Sequence, residues 1–292
     1  MSAVVDSSDG PTETIKVLIT LHPGFDLLDA VCPLEVLTYA QHNIKDPATK
    51  AFECSFVGAS TAMTSAQGAT LKADMDYEDA HEDLEDFDVL IVPGGGTTEV
   101  LKNESEPLGL IKKFADIQEK NPSKERTLLS VCTGSLFLAK QGLLQGLAAT
   151  THPDYYTRLE ILCSESATRD LSERTDVMEE RYVVNNARFD LGENLDENPY
   201  IVRKRPDGTR RKSIARKGSN AWKESKRRES IIRRASMPLG GMRLITAGGV
   251  TSGLDASLYL VASMVSHESA EEVARILQYT WVKGVTVDAI DV

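Results

Sequence analysis

The chain has 292 residues, 41% of them hydrophobic and 26% charged, with a formal net charge of −11. That length suits one large α/β domain with its own core, and no apolar run approaches the roughly 20 residues of a bilayer span, so no membrane partner is expected. Cys32, Cys54, Cys132 and Cys163 form no CxxC pair and have no nearby His at ligand spacing, which excludes a structural zinc site and points to four reduced thiols. The opening "MSAVVDSSDGPTET" lacks a basic start and an apolar core, so residues 1–14 read as a disordered, solvated tail and the chain as cytoplasmic.

In chain order, "IKVLITL" (15–21) reads as a buried strand, and "PLEVLTYAQHN" as a helix with Pro33 in its first turn. Glu35, two residues on, then serves the helix dipole. "FECSFVGAS" (52–60) is a second strand, and "TSAQGATLKADMDYEDA" (64–80) a hairpin or arm leading into an acidic loop. "FDVLIVPGGG" (87–96) is a strand stopped by Pro93 and three glycines. Leu110, Ile111, Phe114 and Ile117 lie at helical spacing in "PLGLIKKFADIQEK" (107–120). "TLLSV" (127–131) is the next strand, followed at once by a helix over "SLFLAKQGLL" (135–144). "RYVVNNARFDL" (181–191) and "MRLITAGG" (242–249) read as two strands of one hairpin, and "TSGLDASLYLVASMVS" (251–266) and "AEEVARILQY" (270–279) as helices. The alternation is that of a βαβ architecture with a mostly parallel sheet, one domain over 15–292.

In "SVCTGS" a strand delivers Cys132 to a tight turn with a helix beginning directly after it, the geometry of a nucleophile elbow. The turn lifts the side chain clear of the sheet, and the positive end of the helix favours thiolate over thiol. Gly134 admits close approach of backbone or substrate. A buried structural cysteine at a strand end fits the same stretch.

Open parallel sheets bind ligands beyond the carboxyl ends of their strands. The stretches found there are "LHPGFDLLDAVCPLEV", "VPGGGTT" and "VCTGS", joined later by "ATTH" and "TAGGVTSGLD". Together they resemble the ThiJ/PfpI superfamily, in particular its isonitrile hydratase branch, over most of 15–192 and 241–281. The resemblance implies a flavodoxin-like three-layer sandwich of the class I glutamine amidotransferase type, a small-molecule substrate, a homodimer, and neither metal nor cofactor. It places the family nucleophile on Cys132 and its acidic partner on Asp29. Water would add to an isonitrile or similar electrophile to give an N-substituted formamide. The N–H groups of Gly94, Gly95 and Thr133 would bind developing negative charge; a plain glycine turn is the competing reading. His152, in "TTH", would approach the cysteine, or else satisfy its own loop, and Pro153 after it departs from the branch's aromatic. Where protease, chaperone and glyoxalase relatives usually carry His after the cysteine, this chain has Thr133, which speaks against a glyoxalase or deglycase. A ligand- or redox-sensing module is the alternative from another class.

Charge is unevenly spread: residues 196–236 hold fourteen Lys/Arg against five Asp/Glu, a segment of +9 in a body of −20. The stretch from about 194 to 240 reads as a basic, disordered insertion at the tip of the hairpin. Arg-Arg-x-Ser recurs at Ser213, Ser230 and Ser236, the pattern of a basophilic protein kinase substrate. Each phosphate would subtract about 1.5 to 2 charges, weakening attachment of the loop to the acidic body. A nuclear import signal, weak nucleic-acid affinity and a neutral insertion are the competing readings.

Overall fold

Alternate residues of β1 (Ile15–Leu21) enter two different cores: Val17, Ile19 and Leu21 on one side, Leu18 on the other. A strand buried on both faces needs helices on both. That is the architecture of the computed structural model, which describes residues 13–186, 201–203 and 237–287.

The further strands are β2 (Phe52–Gly58), β3 (Ala62–Thr64), β4 (Thr70–Lys72), β5 (Val89–Val92), β6 (Thr127–Val131), β7 (Ala148–Ala149), β8 (Asp176–Val177), β9 (Tyr182–Asn185), β10 (Ile201–Arg203), β11 (Arg243–Ala247) and β12 (Gly284–Val287). Together with β1, seven of them form one sheet in the order β10-β12-β9-β11-β6-β5-β1-β2. From β2 to β11 neighbours run parallel. β9 pairs antiparallel with β11, and β12 and β10 continue in the direction of β9. The helices are α1 (Leu27–Tyr39), α2 (Tyr77–Glu82), α3 (Thr97–Asn103), α4 (Leu108–Lys120), α5 (Ser135–Lys140), α6 (Tyr156–Asp170), α7 (Ser252–Met264) and α8 (His267–Ile276). Apolar residues of α1, α7 and α8 join the core on one face of the sheet, those of α2 to α6 the core on the other.

The chain leaves β1 towards β2 on one side and returns to β5 on the other. The β1/β5 junction is therefore a switch point, where the loops after the two strands part and leave a crevice. Asp29 follows β1, the glycines follow β5, and Cys132 follows β6, so all three face that edge.

Three expectations change. Helix α1 begins at Leu27, not at Pro33, because Asp26 caps it by accepting from the Leu28 N–H at 3.1 Å. Pro33 is buried inside the helix, where it has no N–H to return to the Asp29 carbonyl. Asp29 thereby takes the first-turn position expected of Glu35, which lies exposed two turns further on. The helix after Cys132 is also shorter than expected, ending at Lys140.

The hairpin of β3 and β4 is present, as is the antiparallel pairing of β9 with β11 around the insertion. Within that insertion Ile201–Arg203 pair with β12, a strand the sequence reading did not foresee. The tail over 1–12, most of the basic stretch, and Ser213, Ser230 and Ser236 lie outside the described residues. Among the described residues no helix is long and apolar enough to cross a membrane.

Candidate active site

Strand β6 ends at Val131 in extended conformation, and Cys132 turns the chain with φ of 56°, in the left-handed region where an L-residue costs roughly 1–2 kcal/mol. A 3-10 turn over Cys132–Gly134 runs straight into α5. The bend is held from outside: the Cys132 carbonyl accepts from Ser135 Oγ at 3.2 Å and from Thr151 Oγ1 at 3.1 Å. Cys132 is 7% exposed, so little of the residue meets solvent.

Asp29 is fully buried in the first turn of α1 and interacts with the Cys132 thiol. Its Oδ2 accepts the Gly94 N–H at 3.0 Å, and Oδ1 is buried with no hydrogen-bond partner among the described residues. The Gly95 N–H goes to Thr133 Oγ1 at 3.0 Å. Gly94 must be glycine for this approach, since a Cβ there would stand 2.6 Å from the Thr133 nitrogen and 2.9 Å from Asp29 Oδ2. The glycine pair thus departs from the expected oxyanion role: both N–H groups are occupied in holding Asp29 and Thr133. Of the three expected donors only the Thr133 N–H acts on the Cys132 thiol, favouring its ionised form.

Electrostatics also reverse one expectation. Burial and the neighbouring Asp29 charge push the Cys132 thiol up to about 12, outweighing the helix terminus and the Thr133 N–H. Burial, with the charge of Asp26, lifts Asp29 to about 7, against the lowering effect of the Gly94 hydrogen bond. The resting pair is therefore a thiol beside a carboxyl poised to gain or lose its proton near neutrality. Cys32 and Cys54 are half-buried and Cys163 is buried; burial raises all three thiols.

His152 lies on the loop after β7, where Nδ1 accepts from the Asp154 N–H and the ring meets Tyr155 edge-on. No hydrogen bond, ion pair or ring contact among the described residues joins it to Cys132 or Asp29; the neighbouring Thr151 reaches the Cys132 carbonyl instead. The residue missed is His22. It follows β1, is fully buried, and places Nε2 2.8 Å from the Gly95 carbonyl oxygen. The rule that singles out strand ends applied to "LHPG" as much as to "LLDAV".

Doubly wound α/β proteins that carry a thiol on a strand-to-helix elbow form a recognisable class, and the sheet order and the turn at Cys132 put the chain in it. Within that class it belongs to the DJ-1/PfpI family, which it matches over residues 15–189. It is 38% identical over 100 residues to an isonitrile hydratase of Pseudomonas putida, an alignment covering 34% of this chain and only 39% of that protein. A deglycase of Thermococcus kodakarensis is 27% identical over 137 residues, 47% of this chain and 72% of the deglycase. Among solved structures, a ThiJ/PfpI family protein from Pseudomonas syringae superposes with a TM-score of 0.55 at 18% identity, covering 96% of this chain and 81% of that one.

Proposed function

We propose that the chain is a cysteine-dependent enzyme that adds water to a small electrophilic carbon, with an isonitrile as the substrate class. The observation that carries the reading is the buried Asp29 carboxyl, held by Gly94 against the Cys132 thiol and raised to about 7. Such a group serves as base in one step and acid in the next. Cys132 sulfur attacks the terminal isonitrile carbon while its proton passes through Asp29 to that same carbon, giving an S-linked thioimidate. Water then adds to the carbon and the nitrogen takes a proton. The C–S bond breaks, the N-substituted formamide leaves, and the proton returns to sulfur. No external oxidant or reductant is consumed. The likeness to the isonitrile hydratase supports this choice of substrate.

A deglycase is the second reading, favoured by the Thermococcus relative, of which the alignment covers the larger share. The low exposure of Cys132 suits a slender isonitrile better than a bulky glycated side chain. The test is a panel of alkyl isonitriles beside methylglyoxal-modified amino acids, run on wild type, Cys132→Ala and Asp29→Asn. Formamide release lost in both variants is the expected result. Turnover of the modified amino acids alone transfers the proposal to the deglycase, and isonitrile turnover that survives Cys132→Ala overturns the mechanism.

The basic insertion is proposed as a kinase substrate at Ser213, Ser230 and Ser236, and the assembly as a homodimer. Incubation with a basophilic kinase followed by phosphopeptide mapping tests the first, and light scattering of the purified chain the second. Unmodified serines or a monomer would refute them.

A further inference from the structure

Four backbone groups of the Gly94–Gly95 turn are all committed. The Gly94 N–H goes to Asp29 and the Gly95 N–H to Thr133, while the Gly94 carbonyl accepts from the Asp26 N–H at 2.8 Å. The fourth, the Gly95 carbonyl, meets His22 Nε2. A carbonyl can only accept, so Nε2 carries the proton and Nδ1 bears a lone pair. That Nδ1 is buried with no partner. An apolar side chain would fill the slot against Phe137, whose ring His22 meets edge-on at 5.1 Å, without stranding a nitrogen. The Nε2–H is what the histidine contributes in return.

We propose that His22 is a positioning residue: by donating to the Gly95 carbonyl it fixes the glycine turn that delivers one N–H to Asp29 and the other to Thr133, and so sets the carboxyl that faces Cys132. The inference rests on the reading of Cys132 and Asp29 as the reacting pair. No hydrogen bond among the described residues joins His22 to either of them. Burial keeps its ring neutral, with a pKa drawn down to about 4, so its single Nε2–H is constant across the range in which Asp29 titrates. The other titratable group acting on Asp29 and its thiol is Asp26 at the cap of α1, while Asp29 in turn raises Cys32 one turn on.

The test reads Asp29 without any substrate. Alkylation of Cys132 by iodoacetamide is followed by peptide mass spectrometry from pH 5 to 10 in wild type, His22→Gln, His22→Asn and His22→Leu. Wild type shows an inflection near pH 7 as Asp29 ionises. His22→Leu frees the turn, weakens the Gly94 N–H on the carboxylate and moves the inflection upward by at least half a pH unit. Gln, whose amide nitrogen reaches the Nε2 position, keeps it in place, and the shorter Asn does not. Should the Leu variant fail to fold, the Gln and Asn pair decides alone. Coincident profiles in all folded variants, a Gln shift as large as that of Asn, or a wild-type profile with no inflection each overturn the proposal. Because the readout is alkylation, failure of isonitrile turnover leaves it intact, and variant profiles that contradict it while the wild-type inflection is present leave the hydratase reading standing.

Discussion

Replacing Asp29 by Asn is expected to stabilise the protein, and to do so in a pH-dependent way. The carboxyl pKa rises from 3.8 to about 7 on folding, chiefly through burial. A raised folded value means that the folded chain holds the proton more tightly than the unfolded one. Its contribution to stability is fully present below about pH 4 and is lost as pH rises through about 7. Three pH units at about 1.36 kcal/mol each set a ceiling of roughly 4 kcal/mol on what ionised Asp29 costs at alkaline pH. Asn cannot ionise, and its amide oxygen accepts the Gly94 N–H in place of Oδ2. Burying the amide itself takes back part of the gain, leaving about 1–3 kcal/mol. For a domain of this size that corresponds to roughly 2–4 °C in Tm per kcal/mol. The assay is thermal unfolding of both proteins by circular dichroism at pH 4.5 and pH 8.5. The Tm advantage of Asp29→Asn should widen by several degrees between the two. An advantage that does not change with pH, or a variant less stable than wild type at pH 8.5, would refute the assignment of a buried, high-pKa carboxyl.

The rate of isonitrile hydration should rise with pH through a midpoint near 7, because the carboxylate form of Asp29 is the base that receives the thiol proton; a flat kcat/KM profile between pH 5 and 9 counts against it. Gly134→Ala places a Cβ 2.3 Å from the Val92 carbonyl oxygen, which forces the elbow off β5 and should cost about 1–3 kcal/mol in urea unfolding. Arg181→Ala removes the Nε donor 2.5 Å from the fully buried Asp255 and should cost about 3–5 kcal/mol, since the carboxylate then keeps only Tyr279 and the Val282 N–H. Denaturation midpoints of the purified variant check it, and an unchanged midpoint refutes it.

The strands that build the sheet were legible because burial on both faces leaves short apolar runs bounded by glycine and proline, as at "FDVLIVPGGG". Their order around the switch point was not read from the runs and is given by the structure. The start of α1 was not legible: Pro33 reads as a first-turn residue, whereas the cap at Asp26 has apolar Leu27 and Leu28 after it and no capping-box partner. Strand β12 escaped because its four residues, Gly284–Val287, show no turn signal before them and owe their pairing to a distant β9. At the site, Cys132 could be singled out from sequence because it stands at a strand end, whereas Asp29 came from the resemblance alone, since the helix start that carries it was not legible. The use of the glycine N–H groups could not, since it depends on how two separate loops meet across the crevice.

The raised thiol is not at odds with a nucleophilic Cys132. An elbow cysteine flanked by a histidine would rest as a thiolate stabilised by imidazolium, but Thr133 occupies the following position and its hydroxyl accepts from Gly95. A carboxylate beside the sulfur does the opposite and opposes thiolate formation. That repulsion vanishes once the proton has moved from sulfur to Asp29, so transfer within the pair costs less than release of the proton to water. Above about pH 7 the two groups therefore behave as a unit sharing one proton and carrying a single charge. Such a unit suits a reaction in which sulfur and proton must reach the same substrate carbon, because the residue that takes the proton is already placed to return it. It suits poorly a thiol that must stand ionised and exposed to solvent oxidants, which is the requirement of a peroxide sensor.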